Sequence, residues 1–150
     1  MAFWPAAEFG AIAPTFRLLF GSANEHPPAA APPATELIGI AWLYVVHARS
    51  SIERGRAWQA EYMISGVRDH VSALACLRHD LPTVQGRGMD RLPPEVTASL
   101  TGALVCSLGA SELRRAFSVA SAALLAETEM VDAELTSRLS GPVRELAGQS

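Results

Sequence analysis

The stretch Arg54-Gly-Arg-Ala-Trp-Gln-Ala-Glu-Tyr-Met-Ile-Ser-Gly-Val-Arg-Asp-His70 decides how this chain folds. At about 100° per residue, Ala60, Met63, Ile64, Val67, Val71 and Leu74 share one side of a helix, and Glu61, Ser65, Arg68, Ser72 and His79 share another. One face must therefore be buried, and the other is polar. Gly55 interrupts the pattern and ends the helix before it. The spacing predicts a first helix from Thr35, read as its N-cap, to about Arg54, and a second from about Arg56 to His79. So short a connection forces the two to lie antiparallel.

Outward from this pair, the first helix reads Leu37, Ile38, Ile40, Ala41, Trp42, Leu43, Tyr44, Val45 and Val46, apolar almost all round. Such a helix is expected to be covered on more than one side. His47, Ser50, Ser51 and Arg54 follow on a common flank. Residues 81–94 read as a loop, with Pro82, Gly86, Gly88 and Pro93-Pro94 as breakers. A third helix is expected from Glu95 to Leu108, with Gly109 ending it. A fourth starts on Ser111 as cap and carries the stripe Leu113, Phe117, Ala120 and Leu124. A fifth, weaker one spans about Asp132 to Leu139, before Gly141-Pro142. The expected fold is all-α, an up-and-down bundle of four to five helices spanning residues 35–150.

Residues 1–34 read differently. Phe3, Trp4, Phe9, Phe16, Leu18, Leu19 and Phe20 make the start too apolar for a free tail. His26-Pro-Pro-Ala-Ala-Ala-Pro-Pro-Ala34 then favours extended polyproline backbone and marks a boundary.

Composition narrows the function. A chain of 150 residues suits one domain with a core, and 49% hydrophobic residues exclude wholesale disorder. A net charge of −3 speaks against nucleic acid as a partner. Every basic residue is Arg, so Lys-based chemistry is excluded. The longest apolar run, Leu37 to Val46, is ten residues, short of the roughly 20 that span a bilayer. No secretory leader opens the chain, which points to the cytoplasm. Cys76 and Cys106 are expected to be buried free thiols in helices. With no His at ligand spacing they do not form a zinc site, and no metal site is expected.

No Walker loop, paired His motif or activated nucleophile is present. Gly86-Arg-Gly88 lacks the strand-to-helix setting of a phosphate cradle. His70 reads as a hydrogen-bonded residue beside the core rather than a base. No catalytic residue is assigned. The polar side of the second helix has two readings: a solvated surface, or a pocket wall in which Glu61 and Arg68 bind a ligand. In the second reading Arg54, Trp58 and Asp69 support them, His47 joins across the helix pair, and Asp90 sits on a loop rim with Arg87 and Arg91. Trp58 also suits a core or interface position, and Asp90 a helix cap.

Four segments carry a family resemblance: Ile52-Glu-Arg-Gly-Arg-Ala-Trp-Gln-Ala-Glu61, Gly66-Val-Arg-Asp-His70, Leu74-Ala-Cys-Leu-Arg78 and Gly86-Arg-Gly-Met-Asp-Arg-Leu-Pro93. They resemble the helical C-terminal half of bacterial nucleotidyltransferase-domain proteins. That group includes the aminoglycoside (kanamycin-type) nucleotidyltransferases, and its helical half is related to HEPN bundles. Phe3-Trp-Pro-Ala-Ala-Glu-Phe-Gly10 resembles the segment that follows the last catalytic strand of such proteins.

The resemblance implies a substrate-recognition domain that lines an acceptor pocket beside a nucleotidyltransferase catalytic domain, in cis or in trans. Magnesium and a nucleoside triphosphate are implied for that catalytic domain alone. The family's metal-binding half carries a Gly-Ser followed by paired aspartates, whereas Gly21-Ser22 is followed by no Asp before Asp69. The chain is thus expected to be inactive by itself: a fragment, a shortened relative or a partner in trans. The HEPN side implies an alternative, a noncatalytic, antitoxin-type dimerisation or regulatory module built on the first helix. Its ribonuclease variants need an Arg, four to six residues and then a His, and no Arg here meets that spacing.

Overall fold

The computed structural model describes Pro5, Phe9, Gly10, residues 16–25 and residues 30–148. Phe3, Trp4 and residues 26–29 of the proline segment lie outside them. The chain divides into Met1–Ala30 and Ala31–Ser150. Pro33 precedes the first helix, and its carbonyl accepts from the Glu36 and Leu37 amides. In the first unit the Asn24 amide donates to the Phe9 carbonyl at 2.8 Å, and the Phe9 and Phe16 rings meet edge to face at 5.9 Å.

The second unit is all helical among the described residues: α1 (Ala34–Glu53), α2 (Ala57–Arg78), α3 (Pro94–Thr101), α4 (Ala110–Val131) and α5 (Ala133–Ala147), with one 3-10 turn at Met89–Arg91. Two tight hairpins, α1–α2 and α4–α5, pack into one bundle, and short α3 rests on α4 and α2. Phe117, Ile64, Leu74, Leu124, Val45, Val67 and Val71 are fully buried at its centre. The expected stripes of α2 and α4 are buried except for Met63, which is partly so. Ala41, Ala48, Ala60, Ala116 and Ala120, also fully buried, keep the helix axes close. Arg78 near the end of α2 forks Glu127 of α4 at 3.0 and 3.2 Å.

Gly55, at φ +65°, turns the chain out of α1. The Arg56 amide returns to the Ser51 carbonyl and the Gly55 amide to that of Ile52, the paired bonds of a Schellman cap. α1 meets α2, α4 and α5, but Leu43 and Val46 stay exposed, so it is covered on fewer sides than its composition suggests. No helix among the described residues is long and apolar enough to cross a membrane.

Four local expectations are corrected. Pro33 and Gly109, not Thr35 and Ser111, sit at the N-caps of α1 and α4, and neither helix has a side-chain cap. An extended residue whose carbonyl is free to accept suffices at each. The third helix stops at Thr101 rather than Leu108. Arg115 donates to the Gly102 carbonyl at 2.6 Å and to the Leu104 carbonyl at 2.8 Å, and Glu112 accepts the Cys106 amide at 2.9 Å. Groups that would extend α3 are thereby committed to α4. Cys106 consequently lies exposed on this strap instead of buried in a helix, whereas Cys76 is buried.

Finally, α5 continues through Pro142 to Ala147 rather than ending near Leu139. Asp132 caps it by accepting the Leu135 amide at 2.8 Å. Leu135, Leu139 and Leu146 pack on the core and Val143 is buried, so the stripe continues past the proline. Packing along that stripe outweighs the one hydrogen bond that Pro142 cannot donate.

Candidate functional site

The polar face of α2 is tied together locally. Ser65 donates to Glu61 at 2.8 Å, one turn away, and Ser72 donates to the Arg68 carbonyl at 2.8 Å. Arg68 pairs through Nη2 with Asp69 at 3.1 Å. His70 Nδ1 lies 2.8 Å from the Gly66 carbonyl, a contact that needs the proton on Nδ1 because a carbonyl only accepts. His70 is hydrogen-bonded, as read from the sequence. Its ring lies 5.3 Å from that of Tyr44, which also meets Tyr62 at 6.4 Å. Burial, then the neighbouring Tyr62, raises the Tyr44 hydroxyl above its ordinary value.

The chain after α2 builds the opposite wall. Asp80, at φ +54°, fills the left-handed position of a second Schellman cap, in which the Leu81 amide returns to the Cys76 carbonyl at 2.8 Å. Gln85 and Gly86, at φ +56° and +70°, form a type I′ turn closed by the Arg87 amide on the Val84 carbonyl. Gly88 then passes so close to α2 that a Cβ there would meet the Pro82 carbonyl and the Cys76 sulfur at 2.6 and 2.8 Å. The next residues, Met89–Arg91, turn once and are pinned beside α2. Burial also pushes the Cys76 thiol up, partly offset by the charge of Arg91.

Two grooves result. One, of about 480 Å³, lies between Arg68 of α2, Met89 and Asp90 of the 3-10 turn, and the Thr97, Leu100, Thr101 and Leu104 side of α3. The other, of about 450 Å³, runs past Asp69, His70, Ser72 and Cys76 to Gln85. Met89 lines both. Each is of the size that holds a small organic ligand.

The six candidate residues do not form one site. Arg68 and Asp90 come together in the first groove, and Asp69 faces the second. Glu61, half-buried, sits two turns, about 10 Å, before Arg68 and lines neither groove. Arg54 and Trp58 belong to the α1–α2 turn; Trp58 is 76% exposed and about 15 Å along α2 from Arg68. An exposed ring there is not a core residue. His47 is exposed on α1. Neither Arg54 nor His47 lines either groove with Arg68 or Asp69.

Arg68 is 20% exposed, and Asp69, its partner, is 68% exposed. The Arg68 side chain as a whole is therefore largely covered, while the competing carboxylate is solvated and weakly held. Sequence reasoning passed over Met89, Thr97, Thr101 and Leu104. Pro94, Thr97 and Thr101 recur at spacings of three and four on a face of α3 that is neither wholly apolar nor charged, and Leu104 continues that spacing just beyond the helix. That pattern was the available signal. Among the described residues, no three His, Cys, Asp or Glu side chains gather where they could hold a metal ion. Comparison with protein families, curated proteins and solved structures returns no match for this chain.

Proposed function

We propose that this chain is a noncatalytic helical domain that recognises a small-molecule acceptor, of the kind found in the C-terminal half of aminoglycoside-type nucleotidyltransferases. Arg68 and Asp90 orient the acceptor, and Leu92, Leu100 and Leu104 exclude water from it. The observation that carries this reading is their meeting in one groove of about 480 Å³, against a buried wall of Leu92 and Leu100. Transfer of a nucleotidyl group needs magnesium to neutralise triphosphate charge, and the described residues supply no matching ligand cluster. Both magnesium and nucleotide belong to a catalytic domain supplied in cis or in trans.

The test is titration of the isotopically labelled protein with a panel of small acceptors, aminoglycosides included, followed by amide shifts. Clustered shifts at Arg68, Asp90, Thr97 and Thr101 are expected, with no nucleotide transfer by the chain alone given magnesium and ATP. Unaided transfer overturns the noncatalytic role, and shifts scattered over the bundle overturn the recognition site. A second reading, a dimerisation module, is favoured by the exposure of Leu43, Trp58 and Tyr62 on the α1–α2 hairpin. A concentration-independent monomer in sedimentation removes it.

A further inference from the structure

The first groove also states what kind of ligand suits it. Its lining holds one guanidinium, Arg68, and one carboxylate, Asp90, among side chains that are otherwise apolar or hydroxyl-bearing. Leu92 and Leu100 are buried at its base, and Leu104, 46% exposed, forms its rim. Among the described residues the partner found for the Arg68 guanidinium is Asp69, which engages Nη2 alone. The other N–H donors of the fork remain for a second planar acceptor.

A polycation does not match this lining. Several ammonium groups would face a single exposed carboxylate and would meet the positive charge of Arg68 on the α2 wall. A dianion is disfavoured because its second charge would find no second guanidinium in the lining and would face Asp90. An apolar body with no head group would leave Arg68 partly desolvated and without a new partner.

We propose that the Arg68 groove binds an amphipathic monocarboxylate, with its head group on Arg68 and its hydrocarbon or aryl body against Leu92, Leu100 and Leu104. This inference rests on the recognition reading and names the ligand class for that site. Arg68 acts as the specificity determinant through a charge-assisted, forked hydrogen bond. Leu104 contributes apolar contact that does not depend on ligand charge.

The experiment compares octanoate, octylammonium and octanol binding to the whole chain by calorimetry, with amide shifts to place each ligand. Octanoate is expected to bind about tenfold more tightly than the other two, as a charge-assisted pair in a partly desolvated site should allow. Shifts should centre on Thr97, Thr101 and Leu104. Arg68→Gln should bring octanoate and octanol to equal affinity while the helical circular dichroism stays unchanged. Leu104→Ser, at an exposed rim position, should weaken both to the same degree.

Octylammonium binding as tightly as octanoate, octanoate shifts elsewhere in the bundle, no octanoate binding, or a retained octanoate preference in Arg68→Gln would each overturn the proposal. If kanamycin shifts the same amides and octanoate does not, the ligand class falls and the recognition reading stands. If neither octanoate nor any member of the acceptor panel shifts them, both fall.

Discussion

A Cβ at position 66 would overlap the ring of Tyr44 from the facing helix. Gly66 lies inside α2, where glycine is unfavourable by about 1 kcal/mol relative to alanine. It is tolerated because the aromatic ring lies directly on the backbone at that point. Gly66→Ala should therefore lose about 1 kcal/mol net, since overpacking of about 1–3 kcal/mol exceeds the propensity gain. In a Tyr44→Ala background the same change should become stabilising, which a double-mutant cycle by urea denaturation measures. Gln85 presents the opposite case. Its left-handed backbone has no side-chain reason to be glutamine, and asparagine suits the first central position of a type I′ turn. Gln85→Asn should raise stability by about 0.5–1 kcal/mol, read as a higher urea midpoint. Neither effect was legible in the sequence. A lone glycine in a helical pattern does not say which ring approaches it, and Gln85-Gly86 looked only like part of a loop.

At the scale of elements, the strap between α3 and α4 is the clearest case of long-range contacts overriding local propensity. Glu112 accepts from Arg115 at Nε and Nη2, both at 2.7 Å, and from the Cys106 amide. These bonds, Arg115 first and then Cys106, hold the Glu112 carboxyl at about 2, below its ordinary 4.5. A depressed carboxylate stabilises the folded state above its unfolded value, and the contribution is lost as pH falls from there through about 2. Wild type should therefore exceed Glu112→Gln in stability at neutral pH. The gap should close progressively below about pH 4.5 in parallel thermal melts. Arg115→Ala should speed hydrogen exchange at the Leu104 to Cys106 amides while leaving α4 protected, because it releases the strap and not the helix. Helix ends were the least legible feature throughout. The stop at Thr101 depends on side chains from the next helix, and the run of α5 through Pro142 depends on packing that the proline's local chemistry does not reveal.

For the whole molecule, the helical core is what its amphipathic stripes require. Phe117, from the middle of α4, is 2% exposed among small alanines that leave it little room to be replaced. Phe117→Ala should cost about 3–5 kcal/mol, and Leu43→Ala, on an exposed turn of α1, no more than about 0.5 kcal/mol, both by chemical denaturation. Of the expected stripe, Ala60, Ile64, Val67, Val71 and Leu74 are buried and Met63 partly so, because helical period and burial are coupled by geometry: one face of a 3.6-residue repeat must leave water. Helix type, hairpin connection and most of the α2 and α4 core followed from that alone. The grooves did not. They arise where Gly88 presses the loop against α2 and where α3 stops early, so that Arg68 meets Asp90 while Glu61, Arg54 and Trp58 are carried elsewhere. Periodicity assigns a residue to a face, but which faces end up opposite one another depends on loop closure and contacts between distant segments, and only the assembled bundle contains those.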